Sequence, residues 1–180
     1  VLYDKDVSKA LHLRKAGLGL LGNMVGDKKA VACIEDTAVA LEDLPSYIKE
    51  FTAIMKSYKQ EVVYYAHAGA GELHLRPILN LKTKQGVSYF RSITTDVAHL
   101  VKKYKGSFSG EHGDGIVRSE FIPIVIGEKN YALLSVVKKA FDPNYIFNPG
   151  KITAPFKMDV SLRNDYKQDP RTIDTAFNFD

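Results

Sequence analysis

Between residues 62 and 80 the chain reads as two extended runs hinged on a glycine pair, and the long runs on either side carry a helical period. Val62 to Ala66 is β-branched and aromatic, Glu72 to Asn80 alternates apolar and polar side chains, and Gly69-Ala70-Gly71 separates them. That pattern predicts a β-hairpin. Upstream, Leu44, Ile48, Phe51, Met55 and Tyr58 recur at three- and four-residue spacings, with Pro45 in the first turn, and predict an amphipathic helix over 43–58. Downstream, Val87, Phe90, Ile93, Val97, Leu100 and Val101 predict a second over 85–104, stopped by Gly106. A hairpin flanked by two one-faced helices has few ways to bury its apolar side. The predicted class is therefore α+β, with helices on one face of an antiparallel sheet, as in the second part of a ferredoxin-like split βαβ layer.

The remaining segments fill in this frame. Ala30 to Ile34 is a short apolar run and reads as a buried strand, Ser107-Phe108-Ser109 as extended chain, and residues 128–141 as a third helix ending before Asp142-Pro143. Lys9 to Ala16 has a short helical pattern, whereas Gly17, Gly19 and Gly22 predict a loop or a tight crossing. After Lys151 the sequence turns polar and sparse in aliphatics. The expected organisation is a domain over 1–153 and a polar linker or extended arm over 154–180.

With 180 residues and 45% hydrophobic content the chain can bury one core. No run approaches the ~18 apolar residues of a membrane span, and no secretory signal pattern opens the chain. The net charge of +4 is dispersed; its densest clusters, Lys102-Lys103-Tyr104-Lys105 and Lys138-Lys139, fall on helical patterns without base-stacking neighbours, which argues against nucleic-acid binding. Cys33 is the single cysteine. A disulfide within the chain and a multi-thiolate cluster are both excluded, and a reducing, cytoplasmic compartment is favoured, with peripheral attachment to the inner membrane left open. The chain opens Val1-Leu2-Tyr3-Asp4, without an initiator methionine, and is expected to be a piece of a longer protein.

The chemistry is concentrated in two glycine-framed segments, His67-Ala-Gly69-Ala-Gly71-Glu72-Leu-His74-Leu-Arg76-Pro77 and Gly110-Glu111-His112-Gly113-Asp114-Gly115. A hairpin symmetric about residues 70 and 71 would pair 67 with 74, 68 with 73 and 69 with 72. Directly opposed Cβ atoms stand roughly 4.5–5.5 Å apart, close enough for two imidazoles to share one ion. Alternation then puts Tyr65, His67, Glu72, His74, Arg76 and Asn80 on one polar face, and Val62, Tyr64, Ala66, Leu73, Leu75 and Leu79 on the core face. Glu111 could complete a two-histidine, one-carboxylate set, His112 could serve as a general base, and Arg76 could clamp a substrate carboxylate with its planar fork. Gly69-Ala70-Gly71 lacks the Lys-Ser/Thr ending of a phosphate-binding loop. His12 and His99 lie on helical patterns without partners and read as structural.

Three ordered motifs then carry a resemblance. His67-Ala-Gly69-Ala-Gly71-Glu72-Leu-His74, Gly110-Glu111-His112-Gly113 and Asp142-Pro-Asn-Tyr-Ile-Phe-Asn148-Pro-Gly-Lys151 resemble, together, the C-terminal cap-type domain of the FAD-linked oxidases typified by glycolate oxidase, D-lactate dehydrogenase and D-2-hydroxyglutarate dehydrogenase. Leu13-Arg14-Lys-Ala-Gly-Leu-Gly and Ile34-Glu-Asp36 to Pro45 extend the likeness over most of residues 9–153. The resemblance implies that His67, His74 and Glu111 bind a divalent metal, Zn or Mn, and that His112 removes the hydroxyl proton of a 2-hydroxy acid while hydride passes to FAD. It further implies that Arg14 meets the substrate carboxylate and that Gly69, Gly71, Asn148 and Lys151 lie toward the flavin. Many members have Asp-Gly-Asn where this chain has Ala70-Gly71-Glu72, and an asparagine where it has Arg76. The Glu72-Leu-His74-Leu-Arg76-Pro77 variant looks most like large fused proteins in which an iron–sulfur domain follows the flavin unit. The implied partners are thus an upstream FAD-binding domain that holds most of the flavin, with the cap's first strand and helix also upstream, and a downstream iron–sulfur domain. Two other readings compete: a self-sufficient zinc-type hydrolase, and a non-catalytic interaction domain with structural histidines.

Overall fold

A computed structural model describes Tyr3, residues 5–167 and Ala176. Its helices are α1 (Lys5–Gly22), α2 (Leu44–Ser57), α3 (Lys84–Lys103), α4 (Gly115–Arg118), α5 (Ile122–Ile126) and α6 (Glu128–Phe141), and its strands β1 (Lys29–Ala30), β2 (Ile34–Ala38), β3 (Val62–His67) and β4 (Glu72–Leu79). The class is α+β, as expected. No described helix is long and apolar enough to cross a membrane.

β4 is the centre of the sheet. β3 pairs antiparallel along one edge, and β1 and β2 lie in succession along the other, so they are two pieces of one interrupted strand. The buried strand expected over 30–34 is therefore displaced: Cys33 and Ile34 are buried, but the ladder continues to Ala38. Ser107 exchanges both backbone hydrogen bonds with Ala38 and extends the sheet beyond β2.

The two amphipathic helices form where their period placed them, because each buries one stripe on the same face of the sheet. Tyr47, Phe51 and Met55 from α2 and Phe90, Ile93, Val97 and Val101 from α3 meet Ile34, Leu73, Leu75 and Leu79 in one core. Thr83 caps α3 by accepting from the Gly86 amide at 3.0 Å. The helix ends differently from expectation. Lys105, not Gly106, takes the left-handed conformation (φ 52°), with Gly106 N donating to Val101 O. Gly106 is needed for another reason: a Cβ there would stand 2.3 Å from the Ala38 carbonyl oxygen.

α1 is a correction. Gly17 and Gly19 do not open a loop; they sit within a continuous helix, Gly17 half-buried and Gly19 exposed, with open space where a Cβ would stand. An interior glycine costs only about 1 kcal/mol against alanine, too little to end a helix whose other residues favour it. The chain after residue 153 begins by lying on the body. Met158 is buried, and Asp159 pairs with Arg91 of α3 at 2.9 Å. The part of the expected arm over 168–175 and 177–180 lies outside the described residues.

Candidate active site

The polar face of the hairpin forms, with a corrected register. Tyr65 pairs with His74 and His67 with Glu72, so the ladder is shifted by two residues from the symmetric pairing expected. The cause is the turn. Residues 68–70 form a tight 3-10 turn closed by Gly71 at φ 71°, which centres the hairpin between residues 69 and 70, one residue earlier than the expected symmetry. A shift of two preserves the face of every side chain, whereas a shift of one would reverse it. His67 and His74 therefore remain neighbours, now diagonal, with ring centroids 5.1 Å apart.

β2 contributes what the sequence reading missed. Ile34 pairs with Leu75 and Thr37 with Leu73, leaving Glu35 and Asp36 together opposite His74. This is a β-bulge, made by Asp36 at φ 57°, a conformation that aspartate tolerates better than most residues. Ile34 is buried in the core, and Thr37 accepts from Tyr47 of α2. The two acids between them both reach the polar side. The signal was present in the sequence: Ile34-Glu35-Asp36-Thr37 breaks a two-residue alternation with two consecutive charges.

Each acid has its own arginine. Arg76 Nη2 reaches both Glu35 oxygens at 2.6 and 2.8 Å, and Tyr65 adds its hydroxyl at 3.3 Å. Arg76, expected to clamp a substrate carboxylate, thus spends its fork inside the protein. Asp36 is fully buried and binds Arg118, which also donates to the carbonyls of Glu35, Phe108 and Gly113. The second Asp36 oxygen accepts from Ser109 Oγ at 2.7 Å and from the amides of Glu111 and His112 at 2.8 Å each. Burial alone would raise the Asp36 pKa, but those two amides, Ser109 and Arg118 outweigh it and hold the carboxyl below its ordinary value. Asp36 and Arg118 thereby fix the loop that carries Glu111 and His112.

That loop brings the second motif to the first. Glu111 Oε1 lies 2.9 Å from His112 Nε2, 3.4 Å from His74 Nε2 and 3.7 Å from His67 Nε2. His74 is buried between Tyr65, stacked at 4.7 Å, and Glu35. Burial is the largest influence on it and keeps its pKa below the ordinary value in spite of Glu35, Glu111 and Glu72. A neutral imidazole is the form that ligates a metal. His67 and His112 are exposed, and Arg14 of α1 reaches His67 Nδ1 at 3.3 Å, which brings this predicted residue to the site.

The donor set fits a dication. Donor atoms bound at about 2.0–2.2 Å to a four-coordinate ion stand roughly 3.3–3.6 Å apart, and the His67, His74 and Glu111 atoms are all within 4.8 Å of one another. A buried Glu72 oxygen with no hydrogen-bond partner lies 3.8 Å from His74 Nε2, outside that common spacing. A second grouping, Glu35, His74 and His112, meets the same spacing, but Arg76 already neutralises Glu35.

The glycines of the hairpin divide in role. Gly71 is required by packing, since a Cβ would stand 2.1 Å from the Val39 carbonyl oxygen, while Gly69 faces open space. Asn148 and Lys151 are not brought to the histidines. They lie on the turn after α6, where Asp142 accepts from the Ile146 and Phe147 amides, and among the described residues no hydrogen bond or ion pair links them to the cluster.

Residues 2–152 match the family model described as FAD linked oxidases, C-terminal domain. The chain is 40% identical over 156 residues to a D-2-hydroxyglutarate dehydrogenase of Escherichia coli K12, covering 87% of this chain and 15% of that protein. It is 39% identical over 176 residues to one of Pseudomonas putida, covering 93% and 17%. Over 151 residues it is 24% identical to the glycolate oxidase subunit GlcD of Bacillus subtilis, covering 84% and 31%. The chain thus spans about a sixth of the length of the first two relatives.

Proposed function

Since the chain belongs to the FAD linked oxidases, C-terminal domain family, we propose that it is the substrate- and metal-binding portion of an FAD-dependent enzyme that oxidises a 2-hydroxy acid of the D-lactate, glycolate or 2-hydroxyglutarate class. The observation that carries this reading is the convergence of three imidazoles, His67, His74 and His112, on one Glu111 oxygen at 3.7, 3.4 and 2.9 Å. A bound flavin supplies the two-electron acceptor, and a bound dication supplies the Lewis acid that polarises the substrate oxygen.

The chain's own residues do the rest. His67, His74 and Glu111 would hold the dication. His112 is the base: with its Nε2–H donated to Glu111 at 2.9 Å, Nδ1 is the nitrogen that takes the hydroxyl proton, and the exposed ring lets substrate reach it. Arg14 pairs with the substrate carboxylate, since Arg76 is committed to Glu35. Gly69, with open space around it, would leave room for a flavin to approach, and Asn148 and Lys151 are the residues of the turn after α6 that would face it.

For the longer protein we extend the reading to a separate FAD-binding domain, an iron–sulfur domain beyond a linker over 154–180, and a cytoplasmic location. The Glu72-Leu-His74-Leu-Arg76-Pro77 variant and the greater length of the relatives support it. The test uses the full-length protein, mixed anaerobically with a panel of D-2-hydroxy acids. One acid should bleach the flavin absorbance, and the His112→Ala variant should not respond. Bleaching by no acid, or at the original rate in His112→Ala, would overturn the reading.

A further inference from the structure

We infer that Glu72 is a fourth protein ligand of the dication, so that the donor set is two imidazoles and two carboxylates. This rests on the metal reading of His67, His74 and Glu111 above. Glu72 lies directly opposite His67 in the ladder, which puts its side chain on the same polar face. Its Oε1 is 3.8 Å from His74 Nε2, the nitrogen that Glu111 Oε1 approaches at 3.4 Å from the other loop.

Burial makes the case. Glu72 is only 8% exposed, and its Oε1 has no hydrogen-bond partner. A buried carboxylate oxygen without a donor is costly, and such atoms call for an ion or water. The other acids of this face are already matched, Glu35 by Arg76 and Asp36 by Arg118, whereas the ion contact of Glu72 among the described residues is His74 alone. Metal ligation takes carboxylates in their ionised and imidazoles in their neutral form, so one dication would balance a set of two of each. Gly110 permits the approach: a Cβ there would stand 3.2 Å from the Glu72 carboxyl carbon, so any larger residue would push the Glu111 loop away from Glu72.

The test titrates Zn2+ and Co2+ into full-length protein stripped of metal, comparing wild type with Glu72→Gln and His74→Ala. Glu72→Gln should weaken Zn2+ binding at least tenfold and alter the visible spectrum of bound Co2+. It should also melt at or above the wild-type temperature without metal, because it removes an uncompensated buried charge, and below it with metal. A purely structural Glu72 would not reverse sign in this way. Infrared difference spectra of wild type on Zn2+ addition should show two carboxylates perturbed, a readout that does not depend on the variant folding. Unchanged affinity in Glu72→Gln with binding lost in His74→Ala, or a single perturbed carboxylate, would overturn the inference and leave the metal reading standing. No binding by wild type would sink both.

Discussion

Replacing Arg118 with methionine tests whether the Asp36–Arg118 pair holds the Glu111 loop. The substitution keeps an apolar stem of similar reach and removes the guanidinium. Asp36 is then left fully buried with a charge and no counter-ion, a change that costs about 3–5 kcal/mol where one partner of a buried pair is removed. Three donors remain to Asp36, from Ser109 and from the amides of Glu111 and His112, which pulls the cost toward the lower end. The carbonyls of Glu35, Phe108 and Gly113 lose their donor as well, at about 0.5–1.5 kcal/mol each, which pushes it back. The expected loss is about 4 kcal/mol, nearly a thousandfold in the unfolding constant. That is a large part of the ~5–15 kcal/mol that holds a domain together. Urea unfolding followed by circular dichroism would measure it. Asp36→Asn, which suits the left-handed backbone, supplies the control: the double variant should cost less than the sum of the singles by ~1–3 kcal/mol. A loss below about 1 kcal/mol for Arg118→Met, against that ~3–5 kcal/mol expectation, or strictly additive variants, would refute the buttress.

Three further outcomes can be checked. Gly71→Ala should fold poorly, because its Cβ meets a backbone oxygen at 2.1 Å in a left-handed residue, whereas Gly69→Ala should melt as wild type does and affect only flavin contacts in the longer protein; equal melting temperatures would show that the turn can move. Arg76→Met should destabilise by about 2–3 kcal/mol, less than a fully buried pair since Arg76 keeps some exposure, by stranding the Glu35 carboxylate, and calorimetry that found no change would count against the pairing. The Arg91 hydrogen bond holds the Asp159 pKa below its ordinary value, so the docking of residues 153–162 gains stability above the unfolded carboxylate's pKa and loses it as pH falls through the lower folded value. Hydrogen-exchange protection in that segment, corrected for the intrinsic pH dependence of exchange, should therefore fall only at pH below about 4, where free aspartate itself titrates, and Asp159→Asn should abolish that fall.

The parts of the fold legible in the sequence were those set by periodicity. Phe51 and Met55, and Phe90 through Val101, repeat at helical spacing because one stripe must be buried, and that burial fixed α2 and α3. The site face was legible through parity, which is why His67, His74 and Arg76 fell on one side despite a misplaced turn. Details that depend on tertiary partners were not. The glycines of α1 mimic a loop because nothing local records that the helix tolerates them, and the role of Arg76 depends on Glu35, 41 residues away. Arg118 is likewise invisible without Asp36, 82 residues distant, since an isolated arginine on a four-residue helix has no pattern.

The bulge at Glu35 and Asp36 has a consequence for which length changes the protein can absorb. Glu35 ties to the hairpin and Asp36 to the Glu111 loop, so one peptide step sets how far the imidazoles stand from the carboxylate that joins them. An insertion in the exposed connection over 23–28 leaves that step untouched, whereas one in the loop over 109–114 would move the reactive groups themselves. Deleting a single residue at 35 or 36 would restore strict alternation and withdraw one of the two anchors. The histidines and the loop would then each be intact, but no longer in reach of one another.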